Sequence, residues 1–84
     1  MNIPIYSVYI LKCCDGTHYT GYSKNLDKRF KAHNGGKVKY TRNKLPLELV
    51  HVSLFSDKQK AYDFERYLKS GSGKAFRNKR LIVI

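Results

Sequence analysis

The sequence predicts a small α+β domain, a three-stranded antiparallel sheet flanked by helices, with its elements in the order β-β-α-β-α-α. Three observations support this prediction. Strand-like runs over residues 3–12 and 18–22 are separated by Asp15-Gly16, which is a strong hairpin signal. A third apolar run covers residues 47–55, and the segments after the second and third runs have the caps and periodicity of helices. The 84 residues are expected to form one domain over 1–84.

The type of hairpin loop determines whether two tyrosines share a face of the sheet. Side chains alternate along a strand, so a two-residue turn would place Tyr9 and Tyr19 on opposite faces. A three-residue loop, Cys14-Asp15-Gly16 with a left-handed glycine, instead pairs Tyr9 with Gly21 and Leu11 with Tyr19. If the two tyrosines act together, the chain must use the three-residue loop.

The first helix is expected to begin near Asn25, a good N-cap, and to end at Gly35-Gly36. At about 100° per residue, Arg29 and His33 project within roughly 60° of Leu26, on the apolar side. Polar groups on a core-facing stripe are the kind of local inconsistency that marks function. The alternative is that Arg29 reaches the helix edge and His33 is a satisfied polar residue.

The middle of the chain predicts a basic loop, a strand and a second helix. Residues 37–45 form the loop, which Pro46 closes. The run 47–55 is apolar on both faces, so we expect a strand that is covered on both faces or central. A capping box over 56–59, with Ser56 as N-cap, opens a helix that continues to about residue 69.

A carboxylate lies beside the buried stripe of this second helix. Ala61, Phe64 and Leu68 form the stripe, and Glu65 projects within about 40° of Ala61. A carboxylate in this position is costly unless it is paired, so it needs a cation or a metal. A salt bridge with a core-edge arginine, such as Arg29, is the alternative.

The C-terminal part of the chain predicts a helix break and a short basic helix. Residues 70–73 end the second helix, Ser72 is a plausible cap, and residues 74–80 form the basic helix. The apolar tail 81–84 is too short to span a membrane and is expected to pack on the core.

The charge of the chain indicates a polyanionic partner. The formal net charge is +11, from 17 basic and 6 acidic residues. A basic field of this size attracts nucleic acid, whose phosphates supply most non-specific affinity. A merely soluble cationic surface is the alternative. The candidate phosphate contacts are Lys24, Lys28, Lys31, Lys37, Lys39, Arg42, Lys44, Lys74 and Arg77.

Several classes of protein are disfavoured by composition. No segment approaches ~18 apolar residues and no signal-peptide layout is present, so we expect no membrane partner and a cytoplasmic location. The adjacent Cys13 and Cys14 suit neither a disulfide framework nor a zinc site, and reduced thiols are expected. No heptad or apolar stripe signals an oligomer, although edge-strand pairing stays open.

The ordered motifs resemble the GIY-YIG nuclease domain, in particular its small stand-alone, UPF0213-like members. The match consists of Ser7-Val8-Tyr9, Tyr19-Thr20-Gly21, Arg29, His33 and Glu65, and runs over nearly the whole chain. Ser7 stands in place of the first motif's glycine and Thr20 in place of the second motif's isoleucine. Asn78 is the best match for the family's late asparagine.

The resemblance implies a metal-dependent endonuclease that hydrolyses DNA phosphodiester bonds, DNA being favoured over RNA. Glu65 would hold one Mg²⁺ or Mn²⁺, which would stabilise the leaving 3′ oxygen. Tyr9 would act as general base, directly or through His33, while Arg29 would hold the scissile phosphate and Tyr19 would position it. Arg29 and the metal would favour the anionic form of Tyr9, whose ordinary pKa is about 10. Asn78 completes the catalytic candidates.

The family also suggests a biological context, and two alternative functions remain open. The family suggests structure-selective cutting in DNA repair or recombination, and many members carry a separate DNA-targeting domain that has no room in this chain. One alternative is a catalytically weak nucleic-acid-binding module of the same fold. Another is a subunit that needs a protein partner to reach its substrate.

Overall fold

The computed structural model describes residues 3–82 and confirms the predicted α+β fold and element order. Two residues of the predicted apolar tail, 83 and 84, lie outside the described residues. The three strands form one antiparallel sheet in the order β2-β1-β3. The elements are β1 (Tyr6–Lys12), β2 (His18–Ser23), α1 (Leu26–Asn34), β3 (Glu48–Phe55), α2 (Lys58–Lys69) and α3 (Gly71–Phe76), followed directly by a π-helical segment (Arg77–Leu81).

The central strand of the sheet is β1, and the expectation that the third run is central or covered on both faces is wrong. β3 lies at an edge of the sheet, and its Leu54 side chain is 64% exposed. Val8 and Leu11 of β1 are fully buried instead. An apolar run does not distinguish an edge strand from a central one, because strand order depends on contacts far apart in sequence.

The hairpin uses the three-residue loop that the tyrosines require. The amide of Cys13 donates to the carbonyl oxygen of Thr17 at 2.8 Å, and Gly16 has a φ of +86°. Tyr9 therefore pairs with Gly21 and Leu11 with Tyr19, as predicted. Both tyrosines lie on the same face of the sheet.

The two faces of the sheet have separate cores. One face packs Val8 and Ile10 against Ala61 and Leu68 of α2. The other packs Tyr9 and its neighbours on β1 against α1 and the segment before β3. The second core contains two fully buried polar side chains, those of His33 and Thr41. The candidate functional residues concentrate on that side.

The helix starts agree with the sequence at α1 and differ at α2 and α3. Asn25 caps α1, as predicted. Asp57, rather than Ser56, caps α2, because its carboxylate accepts two backbone amides of the first turn. Ser70, rather than Ser72, caps α3. Ser70 follows the last residue of α2 directly, so no linker separates the two helices.

Cys13 is buried, Cys14 is exposed, and both are free thiols. Within residues 3–82, no helix has both the length and the apolar character needed to cross a bilayer.

Candidate active site

Tyr9 is the centre of the candidate site, and Gly21 makes room for it. A Cβ atom at Gly21 would overlap Cζ and Oη of Tyr9. The tyrosine ring thus crosses directly over β2, with 1% of its surface exposed. This close approach is the physical reason for a glycine at the end of the second motif. Thr20 lies opposite Ile10, on the other face of the sheet, so its side chain does not affect this contact.

A buried hydrogen-bonded chain connects Tyr9 with α1 and with the basic loop. The hydroxyl of Tyr9 lies 3.0 Å from Nε2 of His33. Nδ1 of the same imidazole lies 2.8 Å from Oγ1 of Thr41. Both ring nitrogens are therefore satisfied, and the ring is held in one orientation by residues from different elements.

Thr41 is a positioning residue that sequence reasoning missed. A helix-stripe argument identifies His33 but considers only residues on the same helix. Thr41 comes from an irregular loop, where no periodicity indicates which side chain turns inward. The only available signal is that a buried histidine needs partners for both ring nitrogens, and this does not identify the partner.

Burial raises the pKa of Tyr9 above its ordinary value of 10.0. The nearby Arg29 side chain lowers this pKa, as expected from the sequence, whereas negative charge on Tyr19 or Glu65 raises it. Burial outweighs Arg29, so the chain's own groups give the opposite of the expected net shift. Tyr9 is consequently protonated at neutral pH, and its hydroxyl retains a proton to donate.

His33 is poised to receive that proton. Burial lowers the pKa of His33 from 6.5, and the charge of Arg29 lowers it further. The imidazole is therefore neutral at pH 7 and has one donor and one acceptor nitrogen. We assign the donor to Nδ1, which donates to Thr41, and the acceptor to Nε2, which accepts from Tyr9.

Arg29 lies beside both tyrosines and keeps its guanidinium exposed. Its side-chain interaction with Tyr9 raises the pKa of Arg29, with a smaller contribution from Tyr19. The Tyr9 hydroxyl donates to His33, and its oxygen remains able to accept from the Arg29 side chain. Within residues 3–82, Arg29 has no carboxylate partner. The guanidinium is thus available for a phosphate.

Glu65 is paired with Lys69, not with Arg29 as the alternative from the sequence suggested. Lys69 Nζ lies 3.2 Å from Glu65 Oε2, and the side chains are 50% and 14% exposed, respectively. The carboxylate is close enough for its charge to raise the pKa of Tyr9. Its partner Lys69 also lies near the tyrosine cluster, with Nζ 5.9 Å from the ring centroid of Tyr19.

The donor set fits a hard divalent cation. Residues 3–82 contain no group of three or more His, Cys, Asp and Glu side chains placed to hold a metal. A structural zinc site, in contrast, has four such protein ligands. Mg²⁺ is commonly held by one or two carboxylates, with water and substrate phosphate filling its other positions. Glu65 alone can serve that arrangement once Lys69 moves away from Oε2.

Tyr19 connects this cluster to the basic loop. Its ring centroid is 5.1 Å from that of His33 and 5.3 Å from that of Tyr40. Tyr40 is 61% exposed, and Lys44 Nζ lies 4.7 Å from its ring centroid. Sequence reasoning placed Tyr40 in the loop but assigned it no role.

The side chain of Asn78 is hydrogen-bonded to Arg77 and not to the tyrosine cluster. Its side-chain oxygen accepts a hydrogen bond of 3.2 Å from Nε of Arg77. Both residues line a cavity at the hairpin end of the sheet. The catalytic assignment of Asn78 stays a prediction.

Most of the basic candidates are not neutralised by acids. Lys31 pairs with Asp27 and Lys44 with Asp15. The other seven form no ion pair with an acidic side chain within residues 3–82: Lys24, Lys28, Lys37, Lys39, Arg42, Lys74 and Arg77. Their charges are available to a polyanion.

Comparison with known proteins agrees with this architecture. The family model of the GIY-YIG catalytic domain matches residues 5–80. A UPF0213 protein of Clostridium perfringens is 47% identical over 78 residues, which cover 92% of this chain and 80% of the relative. A UPF0213 protein of Staphylococcus saprophyticus is 41% identical over 78 residues, covering 92% and 90%. The solution NMR structure of a UPF0213 protein from Bacillus halodurans is similar with a TM-score of 0.58 and 40% identity, covering 89% of this chain and 83% of the other.

Fold and motif order together define a nuclease domain of the type that cleaves nucleic acid internally. The chain belongs to the GIY-YIG family, over nearly its whole length. Enzymes of this family are endonucleases that generally depend on a divalent metal. Within the family, the similar proteins named above are UPF0213 proteins.

Proposed function

We propose that the chain is a metal-dependent endonuclease that hydrolyses DNA phosphodiester bonds, with Mg²⁺ or Mn²⁺ held by Glu65. The observation that supports this most is the buried hydrogen-bonded chain from Tyr9 through His33 to Thr41, together with a carboxylate, Glu65, whose charge acts on Tyr9. A binding module has no need of a fixed path for a proton next to its phosphate contacts. A hydrolase does.

The pKa directions favour a proton relay over a free tyrosinate. The attacking water gives a proton to Oη of Tyr9 while Tyr9 passes its own proton to Nε2 of His33. The water oxygen bonds to phosphorus, and the bond between phosphorus and the 3′ oxygen breaks, with the leaving oxygen protonated from solvent. Tyr9 stays neutral throughout, which suits its raised pKa, and His33 becomes the imidazolium.

The remaining residues bind and orient the phosphate. The exposed guanidinium of Arg29 holds the scissile phosphate, and Tyr19, packed against His33, fixes its position. Glu65 would hold the metal, and Lys69, now 3.2 Å from Oε2, would then have to release the carboxylate. A bound Mg²⁺ supplies electrostatic stabilisation of the leaving oxygen.

The unpaired basic residues carry the phosphates on either side of the cut. They give affinity and orientation without sequence information. Structure-selective cutting of branched or damaged DNA, in the cytoplasm and in repair or recombination, is the context we propose. A protein partner that brings the domain to its substrate is part of this proposal.

An activity panel tests the proposal. Purified protein with Mg²⁺ or Mn²⁺ should cut at least one of single-stranded, nicked or branched DNA. Tyr9→Phe should reduce the rate by about 10²–10⁴, the range for general acid–base catalysis. Glu65→Gln should also reduce it, because the metal would lose its carboxylate ligand. Tyr6→Phe on the same strand and Asp63→Asn on the same helix are matched controls and should keep the wild-type rate.

The proposal fails if wild-type protein cuts none of these substrates faster than Glu65→Gln does. A different outcome would favour the binding module. In that case the protein binds DNA in a salt-dependent way but does not cut it, and neither Tyr9→Phe nor Glu65→Gln changes the binding. Cleavage only after a second protein is added would favour the subunit reading.

A further inference from the structure

A cavity of about 870 Å³ opens at the end of the sheet that carries the hairpin loop. Its volume lies in the range of ~300–1,000 Å³ that is typical of small-molecule sites. Lys12, Lys74 and Arg77 line the cavity together with one acid, Glu48. Three cations face a single carboxylate, so the walls favour an anion.

His18 contributes a second sign of an anion site in the wall of this cavity. Its Nε2 atom is shielded from solvent and has no hydrogen-bond partner within residues 3–82. Burial lowers the pKa of His18, and the charges of Arg77 and Lys12 lower it further. An unpaired buried nitrogen in a native structure calls for an explanation. An anion in the cavity would offset the neighbouring charges of Arg77 and Lys12.

The helical segment beside the cavity has unusual geometry. Arg77–Leu81 is π-helical, and π-turns are rare and frequently found at functional sites. The guanidinium of Arg77 donates to Asn78 at 3.2 Å and lies 3.5 Å from Oγ1 of Thr20. Its orientation is therefore fixed by neutral partners, and its charge is retained for a ligand.

A second, smaller cavity lies between this cavity and the candidate active site. It has a volume of about 360 Å³, shares His18, Lys74 and Arg77 with the larger cavity and reaches Tyr19 and Lys69. A row of cations thus follows β2 from the tyrosine cluster to the hairpin end. A nucleic-acid strand held at Tyr19 has a charged path into the larger cavity.

We propose that the larger cavity binds a nucleotide of the substrate strand outside the cleaved linkage, with its phosphate on Lys12, Lys74 and Arg77. Val50 and Ile82, which supply apolar walls, take the sugar and base. The inference rests on the proposed function, because the strand must first be a substrate at Tyr19. The hairpin end of the sheet would hold the DNA strand at a second point, away from the cleaved linkage.

Histidine titration by NMR tests the site in the full chain without divalent metal, so that nothing is cut. The probe is a short single-stranded DNA oligonucleotide, and inorganic phosphate is a parallel probe. We expect the oligonucleotide to raise the pKa of His18, because its phosphate counters Lys12, Lys74 and Arg77, while Glu48 is unchanged. His33 reports occupancy of the active site in the same spectra.

Charge variants give a second measurement. The double variant Lys12→Gln, Arg77→Gln should abolish the His18 response. It should also reduce the slope of log K against log[salt] by about 0.7 per lost contact to a single strand. Lys60→Gln removes an exposed charge of α2 outside both cavities, and should leave the His18 response intact. Lys74→Gln replaces the double variant if the latter does not fold.

The outcomes separate the two proposals. If the oligonucleotide shifts His33 and is cut once Mg²⁺ is added, but His18 does not respond, the nucleotide site is wrong and the proposed function stands. If neither histidine responds, both proposals fail. If inorganic phosphate raises the pKa of His18 and the oligonucleotide does not, the cavity is a small-anion site and the proposal is overturned.

Discussion

The two halves of the candidate site are built in contrasting ways. The half formed by β1, α1 and the basic loop is dry, with His33 and Thr41 fully buried and both imidazole nitrogens hydrogen-bonded. The half formed by α2 is open, with Glu65 held by a lysine whose side chain is 50% exposed. The first half is preorganised, whereas the second must rearrange to accept a metal.

The two halves differ in how precisely their functional groups must be positioned. Proton transfer needs fixed donor and acceptor positions within about 0.5 Å, and burial supplies that rigidity. A Mg²⁺ ion needs water and substrate oxygens in its shell, so its carboxylate must stay accessible. Displacing a group of the dry half should therefore cost more cleavage rate than releasing the Lys69 side chain in the open half.

Among substitutions that keep the proposed catalytic groups, the largest effect is expected for Gly21→Ala, which changes the packing of the dry half directly. The new Cβ would overlap the Tyr9 ring, and such overpacking typically costs about 1–3 kcal/mol of unfolding free energy. Displacing the Tyr9 hydroxyl by about 1 Å should also reduce the cleavage rate by about 10²-fold. Gly71→Ala is the control, because a Cβ there meets no atom within 4 Å. Wild-type activity in Gly21→Ala would show that the Tyr9 position is not critical.

The pH dependence of the cleavage rate is expected to distinguish the relay from a free tyrosinate. A tyrosinate base would make the rate rise about tenfold per pH unit up to the raised pKa of Tyr9, above 10.0. The relay predicts a plateau above neutral pH and a loss on the acid side, as His33 takes up a proton below 6.5. A continuous rise between pH 7 and 9 would refute the relay.

The free energy of unfolding should also decrease on the acid side, in the same direction as the cleavage rate. The pKa of His33 is lower in the folded protein than its ordinary 6.5, so below that pH the unfolded chain binds more protons. The free energy of unfolding is thus fully present above about pH 6.5 and falls as the pH drops through the lower folded value. Thermal unfolding at each pH separates this effect from the loss of the relay.

Sequence patterns predicted the parts of the site that depend on local periodicity. The alternation of β1 and β2 fixed the choice of hairpin loop once Tyr9 and Tyr19 were required on one face. The helical period placed His33 toward the sheet, where it is buried. Both rules act within one element or one hairpin, so neighbouring residues carry the information.

The missed features depend on contacts between elements. The edge position of β3, the inward turn of Thr41 and the cavity at the hairpin end all arise from segments that are distant in sequence. The net pKa shift of Tyr9 was missed for the same reason. Its largest cause is burial, and burial is set by the packing of α1 over the sheet rather than by the neighbouring Arg29.

A smaller effect is expected for Thr41→Val, which removes the hydroxyl that orients His33 while preserving the shape of the side chain. A hydrogen bond worth about 0.5–1.5 kcal/mol predicts up to about tenfold loss of cleavage rate. The acid side of the pH profile should move as well, because the imidazole loses the partner of Nδ1. Thr41→Ser is expected to restore both properties, and an unchanged pH profile in Thr41→Val would argue against a role in orienting His33.

The smallest effect is expected for Lys69→Met, which tests the open half. A helical pair of this spacing contributes about 0.3–0.5 kcal/mol. Releasing Glu65 should therefore lower the half-saturating Mg²⁺ concentration by only about twofold, as measured from the cleavage rate against Mg²⁺. Lys31→Met breaks a pair with the same spacing and the same 3.2 Å distance, to Asp27, and should not change the Mg²⁺ requirement. A higher Mg²⁺ requirement in Lys69→Met would mean that the lysine helps to assemble the metal site instead of competing with it.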